Sequence, residues 1–332
     1  MYQMKTVYIT DFWTGAPDVE QDALAGVAAV VALGEHDEKK LLPRIADADG
    51  LLVWHDIRIS AATLAALTRC RVLVRIGVGF DNVDLEAARS RDIVVCNTPD
   101  YGIEDVADHA IAMMLALLKN LPQFNHDLKQ AAPLLWNARR NARMPRLRGM
   151  VFGVIGLGRI GSATALRAKA FGMDVVAFDP YIPDGRDKAL GIRMAYCLDE
   201  LLRQSDVVSI HTPLNETTRG MISAPALAQF KRGATLINTA RGPVCDTTAL
   251  LAALESGQLA GAGLDVLPVE PPNADDPLII AVRDPSHVAH YRCILSPHAA
   301  FYTEEGFIEM RRKAALEVRR ALTGERVRNR VN

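Results

Sequence analysis

The stretch Val151-Phe-Gly-Val-Ile-Gly156-Leu-Gly158-Arg-Ile-Gly161 constrains this chain more than any other. Val151 to Ile155 reads as a buried strand, and Gly156-x-Gly158-x-x-Gly161 follows it without a break. A helical pattern then starts, with Ala163, Leu166, Ala170 and Phe171 on one face, and it ends at Gly172. A second apolar run, Val175 to Phe178, ends in Asp179, an acid 18 positions after the third glycine. The first glycine permits a tight turn, the second lets backbone approach a pyrophosphate, and the third lets helix pack on strand. The pyrophosphate then meets free N–H groups at the positive end of the helix dipole. Three glycines alone describe any glycine-rich turn. The strand before them, the helix after them and the acid beyond make this a dinucleotide-binding turn.

At 332 residues the chain exceeds the usual size of one domain, so two are expected. A net charge of −1 gives no electrostatic argument for nucleic acid or an anionic membrane, even though Arg139, Arg140, Arg143, Arg146 and Arg148 lie close together. The five cysteines are scattered without CxxC spacing, which suits reduced thiols and offers no metal site. No signal-peptide pattern opens the chain, and Ala110 to Leu118, its most apolar helical stretch, is too short to span a bilayer. A cytoplasmic protein is expected.

The first hundred residues alternate strand and helix patterns. Strands are expected at Val7 to Thr10, Gly50 to Trp54, Val72 to Ile76 and Ile93 to Cys96, with helices at Asp22 to Leu33 and Ala61 to Leu67. This is one doubly wound parallel unit, and Trp54, His55, Arg75, Gly77, Val78 and Gly79 should line the crevice at its strand ends. A helix follows from Glu104 to about Lys119, then a less regular segment from Pro122 to Leu147. Beyond the glycine turn the alternation resumes. Strands are expected at Val207 to His211, Thr235 to Asn238, Gly261 to Val266 and Cys293 to Leu295. Helices are expected at Ala224 to Phe230, Thr247 to Glu255 and Glu304 to Leu322, while Pro268 to His290, with five prolines, reads as a long loop. The fold class is therefore α/β, with two doubly wound parallel-sheet domains.

A nicotinamide cofactor needs a substrate whose carbonyl or hydroxyl gains or loses a proton, so the protein must supply an acid–base group and a substrate anchor. His298 follows Ser296-Pro297 at the end of the last strand, where ligands of such sheets bind. Arg241, in Asn-Thr-Ala-Arg-Gly, also ends a strand, and its guanidinium fork can hold a 2-oxo carboxylate through two hydrogen bonds. Glu270 placed next to His298 would favour the protonated imidazole and fix its orientation. Each residue alone has a bland explanation; three at strand ends together point to acid–base chemistry on a small acid.

These motifs resemble the D-isomer-specific 2-hydroxyacid dehydrogenase family, and within it the C-terminal-binding-protein branch. The likeness is densest from Arg148 through Tyr181. It recurs in Asn238-Thr-Ala-Arg-Gly242, Asp265-Val…Glu270-Pro and Ser296-Pro-His-Ala-Ala-Phe-Tyr302, and in Val74-Arg-Ile-Gly-Val-Gly-Phe-Asp-Asn-Val-Asp84 with Cys96-Asn-Thr-Pro99. The resemblance implies that Arg241 binds the substrate carboxylate, that Glu270 pairs with His298, and that His298 donates a proton during reduction. It implies that Arg75, Gly77, Val78 and Gly79 form a substrate loop whose N–H groups hold the carboxylate. Gly156, Gly158, Arg159, Ile160 and Gly161 match the pyrophosphate turn, and Asp179 matches the acid on the adenosine ribose. Thr212, Pro213 and Thr217 match the second wall of the cofactor site, and Val78, Thr239, Ala240 and Asp265 are assigned to the cofactor by the same matching. Residues 1–101 and 300–332 would then form the substrate domain, and residues 102–299 an NAD-binding domain that dimerises, with the active site in the cleft between them.

Two departures bear on specificity. C-terminal-binding proteins carry a tryptophan where this chain has Phe301, so the substrate side-chain pocket differs. The stretch between Glu270 and His298 is longer than in many relatives. Glu270 itself, where formate-oxidising relatives carry glutamine, argues against formate. The reading is an NAD-dependent oxidoreductase of a small D-2-hydroxy or 2-oxo acid, a homodimer without metal. Two alternatives stand beside it: an NADH-responsive binding protein of corepressor type, and a dehydrogenase of another small anion such as phosphite.

Overall fold

The computed structural model describes residues 4–130, 136–139 and 144–332, in two units. One unit comprises Met1–Gly102 with Tyr302–Asn332, the other Ile103–Phe301.

In the first unit the chain runs β1 (Lys5–Ile9), α1 (Asp18–Ala23), β2 (Ala28–Ala32), α2 (Glu38–Ile45), β3 (Gly50–Val53), α3 (Ala61–Ala66), β4 (Val72–Arg75), α4 (Leu85–Ser90) and β5 (Val94–Asn97). The sheet is parallel throughout, in the order β2-β1-β3-β4-β5. β3 and β4 are buried at every position, as expected of central strands covered on both faces, and this is why they read as apolar runs up to buried Arg75. The order reverses between β1 and β3, the kind of place where open α/β sheets bind ligands. The helix of Glu304–Thr323, α14 in chain order, packs on β3 and β4 and closes this unit. Arg311 fastens it to α1: the guanidinium donates to both oxygens of buried Glu20 at 2.7 Å and lies 4.1 Å over the Trp13 ring.

The second unit runs α5 (Ile103–Leu118), α6 (Leu121–Gln130), β6 (Val151–Ile155), α7 (Arg159–Ala170), β7 (Asp174–Phe178), α8 (Arg186–Leu190), β8 (Arg193–Met194), α9 (Leu198–Gln204) and β9 (Val207–Ile210). It continues through α10 (Ala224–Gln229), β10 (Ala234–Asn238), α11 (Thr247–Glu255), β11 (Leu259–Leu264), α12 (Pro277–Arg283), α13 (Ala289–Arg292) and β12 (Cys293–Leu295). Its sheet is also parallel, in the order β12-β11-β10-β9-β6-β7-β8. The switch point falls between β6 and β9, so the glycine turn after β6 lies at the place where the order reverses.

Three stretches differ from the expectation. The single helix expected over Asp22 to Leu33 is the end of α1 followed by β2. Ala28-Ala-Val-Val-Ala32 has helix-compatible alanines, but Gly26 turns the chain at φ +74° and pairing with β1 overrides propensity. The segment from Pro122 to Leu147 begins with α6, and the part of it holding Arg140 and Arg143 lies outside the described residues. The proline-rich stretch Pro268 to His290 contains α12 and enters α13. Its prolines misled because Pro277 occupies the first turn of α12, where no N–H is needed, while Asp276 caps that helix through Leu278 and Ile279.

Candidate active site

Every loop of interest in the second unit leaves the C-terminal edge of its sheet. After β6, Gly156 sits at φ +88°, and a Cβ there would stand 2.7 Å from the His211 carbonyl oxygen. A Cβ on Gly161 would stand 2.0 Å from the Gly156 oxygen, so the helix packs on the turn only because both lack side chains. Gly158, by contrast, faces open space and is the N-cap of α7, with no side-chain cap among the described residues. Asp37, Asp84, Asp246, Asp276 and Thr303 cap five other helices, and α7 shares an uncapped start with several more, such as α3 and α9, but it alone of these follows the glycine turn. An uncapped helix start behind a glycine turn leaves N–H donors for an anion.

Asp179, at the end of β7, accepts from Leu157 N at 2.8 Å and Tyr181 N at 3.0 Å, so its carboxylate is held beside the glycine turn. Thr212 and Thr239 follow β9 and β10, and their hydroxyls are buried without a hydrogen-bond partner among the described residues. Orphaned hydroxyls at this edge fit a ligand that supplies the missing partners. Pro213 accepts from the Thr218 hydroxyl through its carbonyl, and Thr217 is held by Asn215 and approaches the Tyr181 hydroxyl at 3.3 Å. The residues present therefore fit a dinucleotide.

Arg241 lies on the turn after β10. Buried Asn238 shapes that turn from both sides: its Nδ2 donates to the Arg241 carbonyl at 3.0 Å and its Oδ1 accepts from Ala240 N at 3.0 Å. Asn238 carried no assignment from sequence, although its place at the head of the Thr-Ala-Arg-Gly run was a signal for it. Cys245 lies on the same turn, and burial pushes its thiol up to about 12, so it is no nucleophile at neutral pH.

Glu270 and His298 come together with the imidazole Nδ1 2.7 Å from Oε2, while Oε1 accepts from Leu267 N at 2.8 Å. An ionised carboxylate only accepts, so Nδ1 carries its hydrogen. Burial works to raise the Glu270 carboxyl, but the hydrogen bond and charge of His298, the Leu267 N–H and the charge of Arg241 outweigh it and hold it below its ordinary value. His298 has φ +51°, a left-handed conformation that costs a non-glycine residue about 1–2 kcal/mol and that clusters at functional sites. The Phe301 ring stands edge-on to the imidazole, centroids 6.1 Å apart. Asp265 is turned into the His298 loop: its carboxylate accepts from Ser296 Oγ, Ala299 N and Ala300 N at 2.5, 2.8 and 3.0 Å.

In the first unit, Gly77 has φ +135°, and its N–H donates to Thr98 Oγ1 at 2.6 Å. That donor is thus engaged within the fold. A Cβ on Gly77 would meet Arg75 Nη1, which donates to the Ile76 carbonyl at 2.6 Å. Val78 is partly exposed, and its carbonyl accepts from Asn97 Nδ2 at 2.6 Å. The Trp54 ring is a core element, 1% exposed and stacked on Phe307 at 5.2 Å. His55 pairs with Asp56 at 3.2 Å and lies 5.1 Å from the Phe12 ring. The turn from Trp54 to Ile57 is held by two residues that sequence reasoning left unassigned. Asp11 accepts from the N–H groups of Trp54, Asp56 and Ile57, and Asn82 donates to the carbonyls of Trp54 and Ile57.

A parallel sheet with an uncapped glycine turn at its switch point defines a dinucleotide-binding unit. Residues 111–300 match the family model described as D-isomer specific 2-hydroxyacid dehydrogenase, NAD binding domain. The chain is 36% identical over 295 residues to a D-3-phosphoglycerate dehydrogenase of Methanocaldococcus jannaschii, covering 89% of this chain and 54% of that protein. It is 37% identical over 314 residues to the enzyme of the same name from Mycobacterium bovis, covering 92% and 57%. The chain thus spans about half the length of these two relatives. The crystal structure of a glyoxylate reductase from Paecilomyes thermophila matches with a TM-score of 0.86 at 28% identity, covering 99% of this chain and 98% of that one. The chain belongs to the D-isomer specific 2-hydroxyacid dehydrogenase family. No helix among the described residues is long and apolar enough to cross a membrane, and among them no group of three or more His, Cys, Asp or Glu could hold a metal ion.

Proposed function

We propose that this chain transfers a hydride between NAD(H) and a small D-2-hydroxy or 2-oxo acid. The observation that carries the reading is the Glu270–His298 pair, with Nδ1 bound at 2.7 Å and the charge of Arg241 acting on the same carboxylate. When bound, the nicotinamide supplies or accepts the hydride. His298 Nε2 gives a proton to the carbonyl oxygen in reduction and takes one from the hydroxyl in oxidation, while Glu270 holds the ring. Arg241 binds the carboxylate and polarises the carbonyl. The substrate, the homodimer and the cytoplasmic location belong to this proposal, as do the substrate-domain and cofactor-domain roles of the two units. Exposed Leu121, Trp136 and Met144 supply apolar surface for a second copy.

The relatives named above act, by their names, on 3-phosphoglycerate and glyoxylate, and the test spans both. NADH oxidation is followed with glyoxylate, hydroxypyruvate, phosphohydroxypyruvate, pyruvate and longer 2-oxo acids. Turnover with at least one is expected. NADH binding without turnover on any would favour a binding protein instead, and light scattering under the same conditions reads the oligomeric state.

A further inference from the structure

We propose that His109 and Ser296 are positioning residues for the acid–base histidine, acting through Asp265; this rests on the reading of His298 given above. His298 holds a left-handed backbone, so its neighbours must over-determine that conformation. Beside a bond from His298 N to the Ser296 carbonyl at 3.0 Å, the hydrogen bonds that do so converge on one residue. His298 N donates to the Asp265 carbonyl at 2.8 Å, and Ala299 N and Ala300 N donate to the two oxygens of the Asp265 carboxylate. Ser296 adds a fourth donor from the other side of His298, its Oγ lying 2.5 Å from Asp265 Oδ1.

Ser296 has a single hydroxyl proton, and an ionised carboxylate only accepts, so that proton goes to Asp265. The Ser296 oxygen is then an acceptor toward His109 Nε2, 2.9 Å away, and His109 carries its hydrogen on Nε2. His109 Nε2 itself is 3.8 Å from Asp265 Oδ1, too far for a direct bond, so it acts through the serine. His109 lies on α5, whereas Ser296 follows β12. The chain His109–Ser296–Asp265 thus ties a helix to the turn that presents the imidazole to Glu270. Without the His109 donor the Ser296 oxygen loses one of its two partners, and the Ser296–Asp265 bond is no longer tied to α5. A shift of the imidazole by a fraction of an ångström is enough to impair proton transfer.

The test compares His109→Leu, His109→Gln and Ser296→Ala in the full chain. For His109→Leu and Ser296→Ala, kcat in reduction should fall about 10-fold, with KM for the 2-oxo acid and Kd for NADH within about 3-fold of wild type. His109→Gln keeps an amide donor and should recover most of the kcat. Combining His109→Leu with Ser296→Ala should be no worse than either alone, because both break one chain. Side-chain 15N NMR of His298 provides a readout that needs no turnover. Its Nδ1–H resonance, shifted downfield by the Glu270 bond, should broaden or move in His109→Leu and return in His109→Gln. Wild-type kcat and an unmoved resonance in His109→Leu, equal loss with Leu and Gln, or multiplying losses in the double variant would overturn the proposal. If no 2-oxo acid is reduced by the wild type, the functional reading fails, and the His298 resonance still decides the positioning.

Discussion

A Cβ on Gly242 would stand 1.9 Å from the carbonyl carbon of Leu267 and 2.0 Å from its oxygen. The turn that carries Arg241 and the turn that leads to Glu270 are therefore in backbone contact, and Leu267 N in turn donates to Glu270. Gly242→Ala cannot be absorbed by rotating a side chain, so one of the two turns must move. A displacement of about 1 Å at such a site can cost roughly 10²-fold in rate. The expected result is a fall of that order in kcat/KM with NADH affinity within about 3-fold of wild type, because the glycine turn after β6 is untouched. Steady-state kinetics with fluorescence titration of NADH checks it, and near-normal kcat/KM would show that the contact has no catalytic consequence.

Replacing Arg241 with alanine should act on the substrate. A carboxylate left without its guanidinium partner loses roughly 2–5 kcal/mol for a buried charged hydrogen-bond pair. Arg241→Lys should recover only part of this, since an ammonium lacks the planar fork. Equal weakening of NADH binding and turnover would assign Arg241 to the cofactor or the fold instead.

NAD should be preferred over NADP. The Asp179 carboxylate ends β7 beside the glycine turn and would repel a 2′-phosphate, at a cost on the order of a few kcal/mol. Arg186, the first cation after it in sequence, donates to Ser162 on α7 at 3.2 Å. Asp179→Ser should narrow the NADH/NADPH ratio of kcat/KM. A wild-type preference for NADPH would overturn the assignment.

His211 sits at the end of β9 with Nε2 2.9 Å from Ser209 Oγ, and burial pushes its imidazole down to about 3. In the unfolded chain the same group titrates near its ordinary value of 6.5. The folded value is the lower one, so the unfolded state binds the proton first and stability falls as pH drops from about 6.5 toward 3. The slope attributable to this group is at most about 1.4 kcal/mol per pH unit. Urea unfolding midpoints between pH 7 and pH 4 should fall less steeply in His211→Gln than in wild type. Parallel curves would mean that His211 is hydrated or protonated in the fold.

The central strands and the glycine turn were legible because a parallel strand covered on both faces is largely apolar, and because a pyrophosphate turn needs glycine where a Cβ would meet backbone, whereas β2 and the short β8 were not. Arg241, Glu270 and His298 stood out in the sequence as polar residues beyond strands, and Glu270 and His298 do meet in the fold. What sequence shows less readily is which polar residues shape the turns by hydrogen bonding. Asn238, Asp11 and Asn82 act through hydrogen bonds to neighbouring turns, and a lone Asn or Asp after a strand is equally an ordinary turn former. The engagement of Gly77 N–H by Thr98 and the burial of Trp54 were hidden for the same reason: they depend on contacts 21 residues away in sequence and on the packing of Phe307.

His298 and Glu270 should behave as one acid–base unit. Reduction of a carbonyl needs the protonated imidazole and oxidation of the alcohol needs the neutral one, so the reductive rate should fall as pH rises and the oxidative rate as pH falls. His298→Ala should lower turnover by about 10²–10⁴-fold while NADH titrates nearly as in wild type, since the uncapped start of α7 and Asp179 are intact. Glu270→Gln keeps an acceptor for Nδ1–H but removes the negative charge, so it should retain part of the activity. The same substitution has a signature in stability. The Glu270 carboxyl is held below its ordinary value of 4.5, so its contribution is fully present above that pH and is lost as pH falls through the lowered value. Wild type should therefore lose stability in that acid range more steeply than Glu270→Gln. The decisive measurement is the pair of pH–rate profiles for wild type and both variants on the best acid from the screen. Full turnover in His298→Ala would remove the acid–base assignment and leave NADH binding without catalysis as the better account.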